Sequence, residues 1–403
     1  MRRIILFILA YFCLNTITLQ AQELQDSTQL QKLIKRVSVG GLVHFVGVGL
    51  QDRPTAAEEA SADYESEWLT SFNVYRARVL LNVALTNKTN FFLETEIPTI
   101  IGRQDGNGGR RTQVRPIILD AQIEHTFSNH FGLIAGMQLV GITRNQLQSA
   151  AALMALDFGY FQYSYSLFET QPLQNNFGRD VGVNTRGFLA NDRLEYRLGV
   201  FNGRSFDERD PFRFVGRLNF NFWEREKDLY YTGTSLGEHK RLSLGGGVDV
   251  QGSYLATGLD LFLDVPTGKN GALTLNTSVT YMTGGTDTSL DSFREEIPQQ
   301  MAYFLELGHY FKKSKLLPYV KYERQDINAV ALQNTTPLSL ENFNTFFSNE
   351  RAGIGLGYFF HDYNTNLKVS YENVQYGRSA LAAGEAESNR ISEIWVQLQF
   401  FFL

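Results

Sequence analysis

The sequence predicts an all-β fold: a transmembrane antiparallel β-barrel of about sixteen strands, with long loops at one end and short turns at the other. Three observations carry that prediction. Apolar and polar residues alternate with a period of two in segment after segment, as β-strands with two different faces require. The connections between those segments alternate long and short. The chain closes on "EIWVQLQFFFL" (393–403), which sets Ile394, Val396, Leu398, Phe400 and Phe402 on one side and Gln397 and Gln399 on the other.

At the N-terminus, Arg2 and Arg3 precede the apolar run "IILFILAYFCL", and small Ala21 follows in "TLQAQ". This pattern predicts an export signal over 1–21, cut before Gln22, with Leu19 an imperfect residue for the cleavage motif. The run is shorter than the roughly 20 apolar residues a membrane anchor needs. Cys13, the one cysteine, would leave with the signal. A mature chain without cysteine has no disulfide, no thiolate metal site and no thiol nucleophile. It is also more acidic than the net charge of −5 for the full sequence, because two arginines are lost. Residues 22–36 are then a short segment ahead of the first strand, and the barrel occupies 37–403.

Composition agrees with the pattern. Aromatic residues make up 13%, with 35 glycines and 9 prolines, while mean hydropathy is only −0.21. A barrel in lipid places its aromatics outside and hides polar groups in its lumen, so average polarity looks ordinary while the pattern does not. The mature sequence has no stretch that reads as a transmembrane helix, which leaves strands as the only way across.

Strands are expected at 37–50, 75–85, 91–97, 115–127, 131–140, 179–190, 193–202, 212–223, 241–252, 257–265, 272–283, 301–311, 315–326, 350–360, 365–376 and 390–403. In "YRARVLLNVAL" (75–85), Tyr75, Ala77, Val79, Leu81, Val83 and Leu85 share the apolar face, and Arg76, Arg78 and Asn82 oppose them. "FFLETEI" (91–97) sets Phe91, Leu93 and Ile97 against Glu94 and Glu96. "FRFVGRLNFNFW" (212–223) sets five apolar residues against Arg213, Arg217, Asn219 and Asn221.

Between them, long links such as "QDRPTAAEEASADYESEW" and 284–300 alternate with short ones such as "TNKTN", "SNH", "ND" and "KKSK". Outer-membrane barrels have short periplasmic turns and long external loops. Two links break the alternation: 224–240 is too long and 253–256 too short. A soluble β-sandwich also has alternating strands, but its loops need not alternate in length, and no blade-like repeat is visible. In lipid, closing the sheet pairs the last strand with the first and leaves no edge.

Several stretches resemble the outer-membrane porins of the phosphate-selective porin O and P family: "FGRDVGV" (177–183), "LEYRLGVFNG" (194–203), "FVGRLNFNF" (214–222), "GLDLFLD" (258–264) and "LLPYVKYER" (316–324). The resemblance implies a sixteen-stranded general or anion-preferring porin, with a homotrimer among its assemblies. Small hydrophilic solutes or anions, outer-membrane lipid and lipopolysaccharide are its implied partners. It also implies that the third external loop folds into the bore. By position that loop is 141–178, a candidate pore-constricting loop. Within it, "TRNQLQSAAALMAL" has the composition of a short helix.

Anion selection requires cationic side chains lining the pore at close range. The inward candidates are Arg76, Arg78, Arg213, Arg217 and Lys321, with Arg144 on the constricting loop. The plainer alternative is a salt-bridge network, because Glu94, Glu96, Asp120 and Glu124 line neighbouring strands. A three-residue turn at Thr86–Lys88 would set Glu96 opposite Arg78. Arg110, Arg111 and Arg115 could attract anions or bridge lipopolysaccharide phosphates, or simply be solvated beside the acidic "EEASADYESE". Closed structural barrels and barrel subunits of a larger secretion or uptake assembly remain rival readings.

Enzymatic readings are weak. "GGG" (245–247) lies in a strand, where glycine permits curvature or close packing. "PTGKNG" (266–271) lacks the rest of a phosphate loop. His44, His125, His130, His239, His309 and His361 have no zinc spacing. His125 and His309 fall on the apolar face near strand ends, as headgroup-level imidazoles would. The expectation is a passive channel that needs no cofactor and binds no nucleic acid.

Overall fold

The computed structural model describes residues 36–51, 67–97, 99–101, 112–114, 116–163, 178–203, 211–284, 297, 299–327, 349–375 and 390–403. The predicted export signal, almost all of 22–36, the acidic stretch, Arg110, Arg111, Arg115, and 164–177 of the candidate loop lie outside the described residues. So do most of the long links 284–300, 327–349 and 377–389.

The strands are β1 (Val37–Gln51), β2 (Trp68–Ala84), β3 (Thr89–Glu96), β4 (Thr99–Ile101), β5 (Thr112–Val114), β6 (Ile117–Ser128), β7 (Phe131–Leu139), β8 (Arg179–Leu189) and β9 (Leu194–Phe201). They continue as β10 (Arg213–Asn221), β11 (Arg241–Gln251), β12 (Tyr254–Pro266), β13 (Gly271–Thr283), β14 (Gln300–Phe311), β15 (Leu316–Ile327), β16 (Asn349–His361), β17 (Thr365–Gln375) and β18 (Arg390–Phe402). Sixteen of them form one closed antiparallel barrel, and β4 and β5 form a separate two-stranded hairpin in the link between β3 and β6.

Closure is made by β1 against β18, with Gly41 opposite Phe402 and Leu50 opposite Glu393. Every barrel strand therefore has two partners, and no row of peptide groups is left to face hydrocarbon.

Side-chain parity divides the wall into two surfaces. Leu259, Ile354, Phe214, Leu218 and Val79 project outward and are more than half exposed. Gln397 and Gln399 of β18 project inward and are fully buried. At the turn end the outer face carries aromatic pairs. Phe127 stacks on Phe131 with centroids 5.2 Å apart, and the His125 and His309 rings lie 4.4 and 4.5 Å from Phe127 and Phe311. Amphipathic rings of this kind suit a membrane–water boundary.

Two local departures from simple alternation matter. β2 begins at Trp68, seven residues before the alternating run, because a bulge reverses its parity. His44 opposes Arg76 while Phe45 opposes Val74, so Tyr75 is the extra residue. Tyr75, expected on the apolar face, instead turns inward and donates its hydroxyl to Asp157 Oδ2 at 2.6 Å. Above the bulge the outward position passes to Phe72.

The other departure explains the broken link lengths. β11 and β12 are joined at the loop end by only Gly252 and Ser253, with Gly252 at φ 57°. The long link 222–240, at the turn end, folds back into the barrel, where Glu226, Tyr231 and Thr234 are almost fully buried.

The outward apolar band carries a direct consequence. Leu259→Arg should lower the stability of the protein folded into phospholipid vesicles by about 2–4 kcal/mol, the cost of an exposed arginine near a bilayer midplane. Urea titration in vesicles measures this. A change within about 0.5 kcal/mol, as on an ordinary wetted surface, would contradict a lipid-facing position.

Candidate functional site

The interior of the barrel is the candidate site, and two segments fill much of it. After β7 the chain turns inward at Val140 and runs through the bore as 141–163. Ile142 N–H and Thr143 N–H both donate to Gln146 Oε1, at 2.8 and 3.2 Å, which tightens the first turn. The helical composition yields two short 3₁₀ turns, η1 (Asn145–Leu147) and η2 (Ala150–Ala152), in place of one helix. Ser149 and Leu153 are extended and interrupt any longer helical run.

The second segment is the 222–240 link, which enters from the opposite end. The two meet in a parallel bridge between Gln148 and Tyr231. Ser149 N–H donates to Tyr231 O at 2.9 Å, Tyr231 N–H to Leu147 O at 2.9 Å, and Gly233 N–H to Ala152 O at 2.6 Å. Buried backbone needs such partners, and each segment supplies them to the other.

Side chains from the wall hold this assembly on all sides. Lys368 on β17 donates to the carbonyls of Leu153 and Ala155 at 2.6 and 2.9 Å. Lys321 on β15 reaches those of Asp157 and Phe158 at 3.2 and 2.6 Å. Gln399 donates to Ala151 O at 2.8 Å. The Gln399 amide of the last strand thus meets an inserted segment and not open water. Leu156 N–H donates to the Tyr319 hydroxyl at 3.1 Å, and Tyr160 N–H to Glu323 Oε2.

Glycine makes room where the wall is closest. A Cβ on Gly258 would lie 2.5 Å from Thr143 Cγ2. Gly353, Gly355 and Gly357 form an inward stripe on β16, and Tyr319 lies against Gly355. Apolar contacts complete the packing: Met154 and Ala155 join Leu236, Tyr310, Leu317 and Phe359 in one buried cluster.

Arg144 is only 1% exposed. Its backbone N–H donates to Asp260 Oδ2 at 3.1 Å, and its Nη2 donates to Glu226 Oε2 at 2.6 Å and Thr232 O at 2.7 Å. The guanidinium lies 3.5 Å from the Phe262 ring centroid and 4.7 Å from that of Tyr231. Arg144 therefore ties the inserted loop to the turn-end link and to β12 at once. Burial alone would raise the Glu226 carboxyl, but Arg144 and Arg241 outweigh it and hold the pKa below its usual value.

Among the wall candidates, Arg78 on β2 donates to Glu94 Oε1 at 2.7 Å and Glu96 Oε2 at 2.9 Å, and the register sets Glu96 opposite Arg78. Arg76 pairs with Asp157 at 2.7 Å. Burial by itself would raise the Asp157 carboxyl, yet the Arg76 guanidinium and the Tyr75 hydroxyl hold it at about 2. Asp120 pairs with Arg179 at 3.1 Å. Arg213 bridges Asp249 and Asp180 at 2.6 and 3.1 Å. Arg217 binds Asp260 with two hydrogen bonds, at 2.5 and 3.0 Å, and also reaches Ile142 O at 2.8 Å. Lys321 pairs with Glu323 at 2.9 Å. Glu124 faces inward near the turn end with no ion pair among the described residues.

Further members of the network were not distinguished by strand alternation alone: Arg179, Arg186, Glu195, Arg197, Asp260, Arg351, Glu372 and Glu393. Glu195 accepts from Arg186 and Arg197 at 2.7 and 2.9 Å and from the Tyr231 hydroxyl at 2.8 Å. Arg351 bridges Glu372 and Glu393 at 2.9 and 2.7 Å.

No protein-family model and no curated protein matches the sequence. Solved structures do match the fold. The outer membrane channel DcaP of Acinetobacter baumannii superposes with a TM-score of 0.54 at 13% identity, covering 91% of this chain and 97% of that one. An anion-selective porin from Comamonas acidovorans gives 0.53 at 11% identity, with 91% and 99% covered. Pseudomonas putida OprB gives 0.56 at 9% identity, with 93% and 96% covered. The closed sixteen-stranded barrel is thus one that outer-membrane porin structures share.

The packing around Arg144 predicts a local effect. Arg144→Ala removes one partner of a buried pair, a change that costs about 3–5 kcal/mol. Amide hydrogen exchange over 145–156 and 226–235 should accelerate together, while exchange in the barrel strands stays slow. Acceleration in only one segment would contradict their mutual support.

Proposed function

We propose that this chain is a porin of the Gram-negative outer membrane, passing small hydrophilic solutes or ions down their gradients. The single observation that carries the reading is the pairing of an apolar exterior with a charged interior in one closed barrel. Lipid accepts the first, and only a hydrophilic path or a deliberate filling makes use of the second. We take 141–163 to be the constricting loop and 222–240 to be a second constriction, from the periplasmic end. We assign the chain no enzymatic role. One barrel per chain in outer-membrane lipid and lipopolysaccharide is the unit of this reading, and a homotrimer rests on the family resemblance alone.

The charges favour weak selectivity. An anion path wants unneutralised cations, whereas Arg76, Arg78, Arg213, Arg217 and Lys321 are each matched by a carboxylate. Phosphate preference therefore has only the five quoted stretches in its favour. A second reading is a sealed structural barrel, favoured by the complete burial of the inward Lys368, Gln397 and Gln399.

Planar-bilayer recording separates the two. A constricted porin gives small steps as the full chain and larger ones when 145–159 is deleted. A sealed barrel conducts only after the deletion, and silence from both would reject a pore. Arg78→Ala should shift the reversal potential toward cations, because Glu94 and Glu96 lose their partner. An unchanged potential would place this cluster off the conducting path.

A further inference from the structure

Beneath the inserted loop, at the turn end, lies a cavity of about 500 Å³. Its roof is Gln148, Ser149, Ala150, Ala151 and Phe158 of the inserted segment. Its wall is a tile of β2, β3 and β6, where the register sets Asn82, Phe92 and Gln122 in one row and Asn90 and Glu124 in the next.

This chamber holds polar groups that the protein leaves unused. Among the described residues, the Gln122 Oε1 and Asn82 Oδ1 oxygens accept no hydrogen bond, and neither Gln148 Nε2 nor Arg78 Nε donates one. Gln122 and Gln148 are only 2% and 3% exposed. Buried polar groups without partners are costly and ask for one. The residues that carry these atoms all line the cavity, and a hydroxyl can both donate and accept. In the register Phe92 lies between Asn82 and Gln122, and its ring is 6.3 Å from the Tyr230 ring. Leu80 on the same wall, and Leu42 and Phe401 on the adjoining β1 and β18, add apolar surface.

Net charge in the chamber selects against ions. Arg78 and Arg179 are committed to Glu94, Glu96 and Asp120, and Lys227 to Asp192. An anion would meet Glu124 and Asp228, and a cation would gain only the small attraction of these two partly exposed carboxylates. We infer that this chamber is a binding site for a small, uncharged, polyhydroxylated solute, whose hydroxyls bridge Asn82, Gln122 and Gln148 while its C–H face lies on Phe92. The inference deepens the channel reading, since it names the solute class the bore would hold on its way through.

Equilibrium dialysis of the detergent-folded full chain against radiolabelled glucose and sorbitol tests it, with inorganic phosphate and arginine as charged probes of similar size. Saturable retention of the polyols, one per barrel, is expected, with the charged probes retained at least roughly tenfold more weakly. Gln122→Leu and, on the inserted segment, Gln148→Leu should each weaken polyol retention roughly tenfold, with the far-ultraviolet spectrum unchanged. Failure of the wild-type chain to retain either polyol, or equal or tighter retention of phosphate or arginine, overturns the proposal. Bilayer recording on the same preparation keeps the two readings apart. Retention without conductance would sink the channel and keep the site, and conductance without retention would sink the site alone.

Discussion

The hydrogen-bond ladder between β1 and β18 is the constraint from which the rest of this molecule follows. These strands are separated by nearly the whole chain, yet they pair over ten positions from Gly41–Phe402 to Leu50–Glu393. Without that seam the sheet would present two rows of unpaired peptide groups to its surroundings, which hydrocarbon does not tolerate. With it, backbone polarity is satisfied within the wall. Each strand can then expose Leu, Val, Ile and Phe on one face and keep charge on the other.

Closure creates a second problem, because it gathers arginines, lysines and carboxylates into a confined interior. The molecule solves it by pairing them, and by filling the space between pairs with its own backbone. Asp157, Glu226 and Arg144 belong to the inserted segments but complete ion pairs with the wall or with each other. Lys368 and Lys321 bind carbonyl oxygens of the inserted loop. Charge neutralisation and filling of the bore are therefore one arrangement. Displacing the inserted loop would uncover Arg76, Lys368 and Lys321 together, and so change the electrostatics of the lumen as well as its width.

Much of the barrel was legible from alternation, since period-two patterning reflects the two solvents that face a strand. Strand number, the antiparallel order and the pairing of the ends followed from it and from link lengths. Tyr75 was misplaced because a one-residue bulge reverses parity without altering composition. The inward arginines were visible, but their partners were not, because Arg213–Asp249 and Arg217–Asp260 join different strands at spacings set by register. The 222–240 link announced itself only as an exception to the length rule. That it turns inward depends on Tyr231 finding Leu147 and Glu195, contacts that no local pattern encodes.

The seam is also where the account is most directly exposed to measurement. Val46 and Gln397 are direct partners across β1 and β18, and the only native cysteine, Cys13, lies in the predicted export signal. In the Val46→Cys, Gln397→Cys double variant, folded in lipid vesicles, mild oxidation should close an intramolecular disulfide in nearly every monomer, seen as a shift in electrophoretic mobility that reduction reverses. Free thiols after oxidation, or disulfides joining one chain to the next, would mean that the first and last strands do not meet and that the sheet is open.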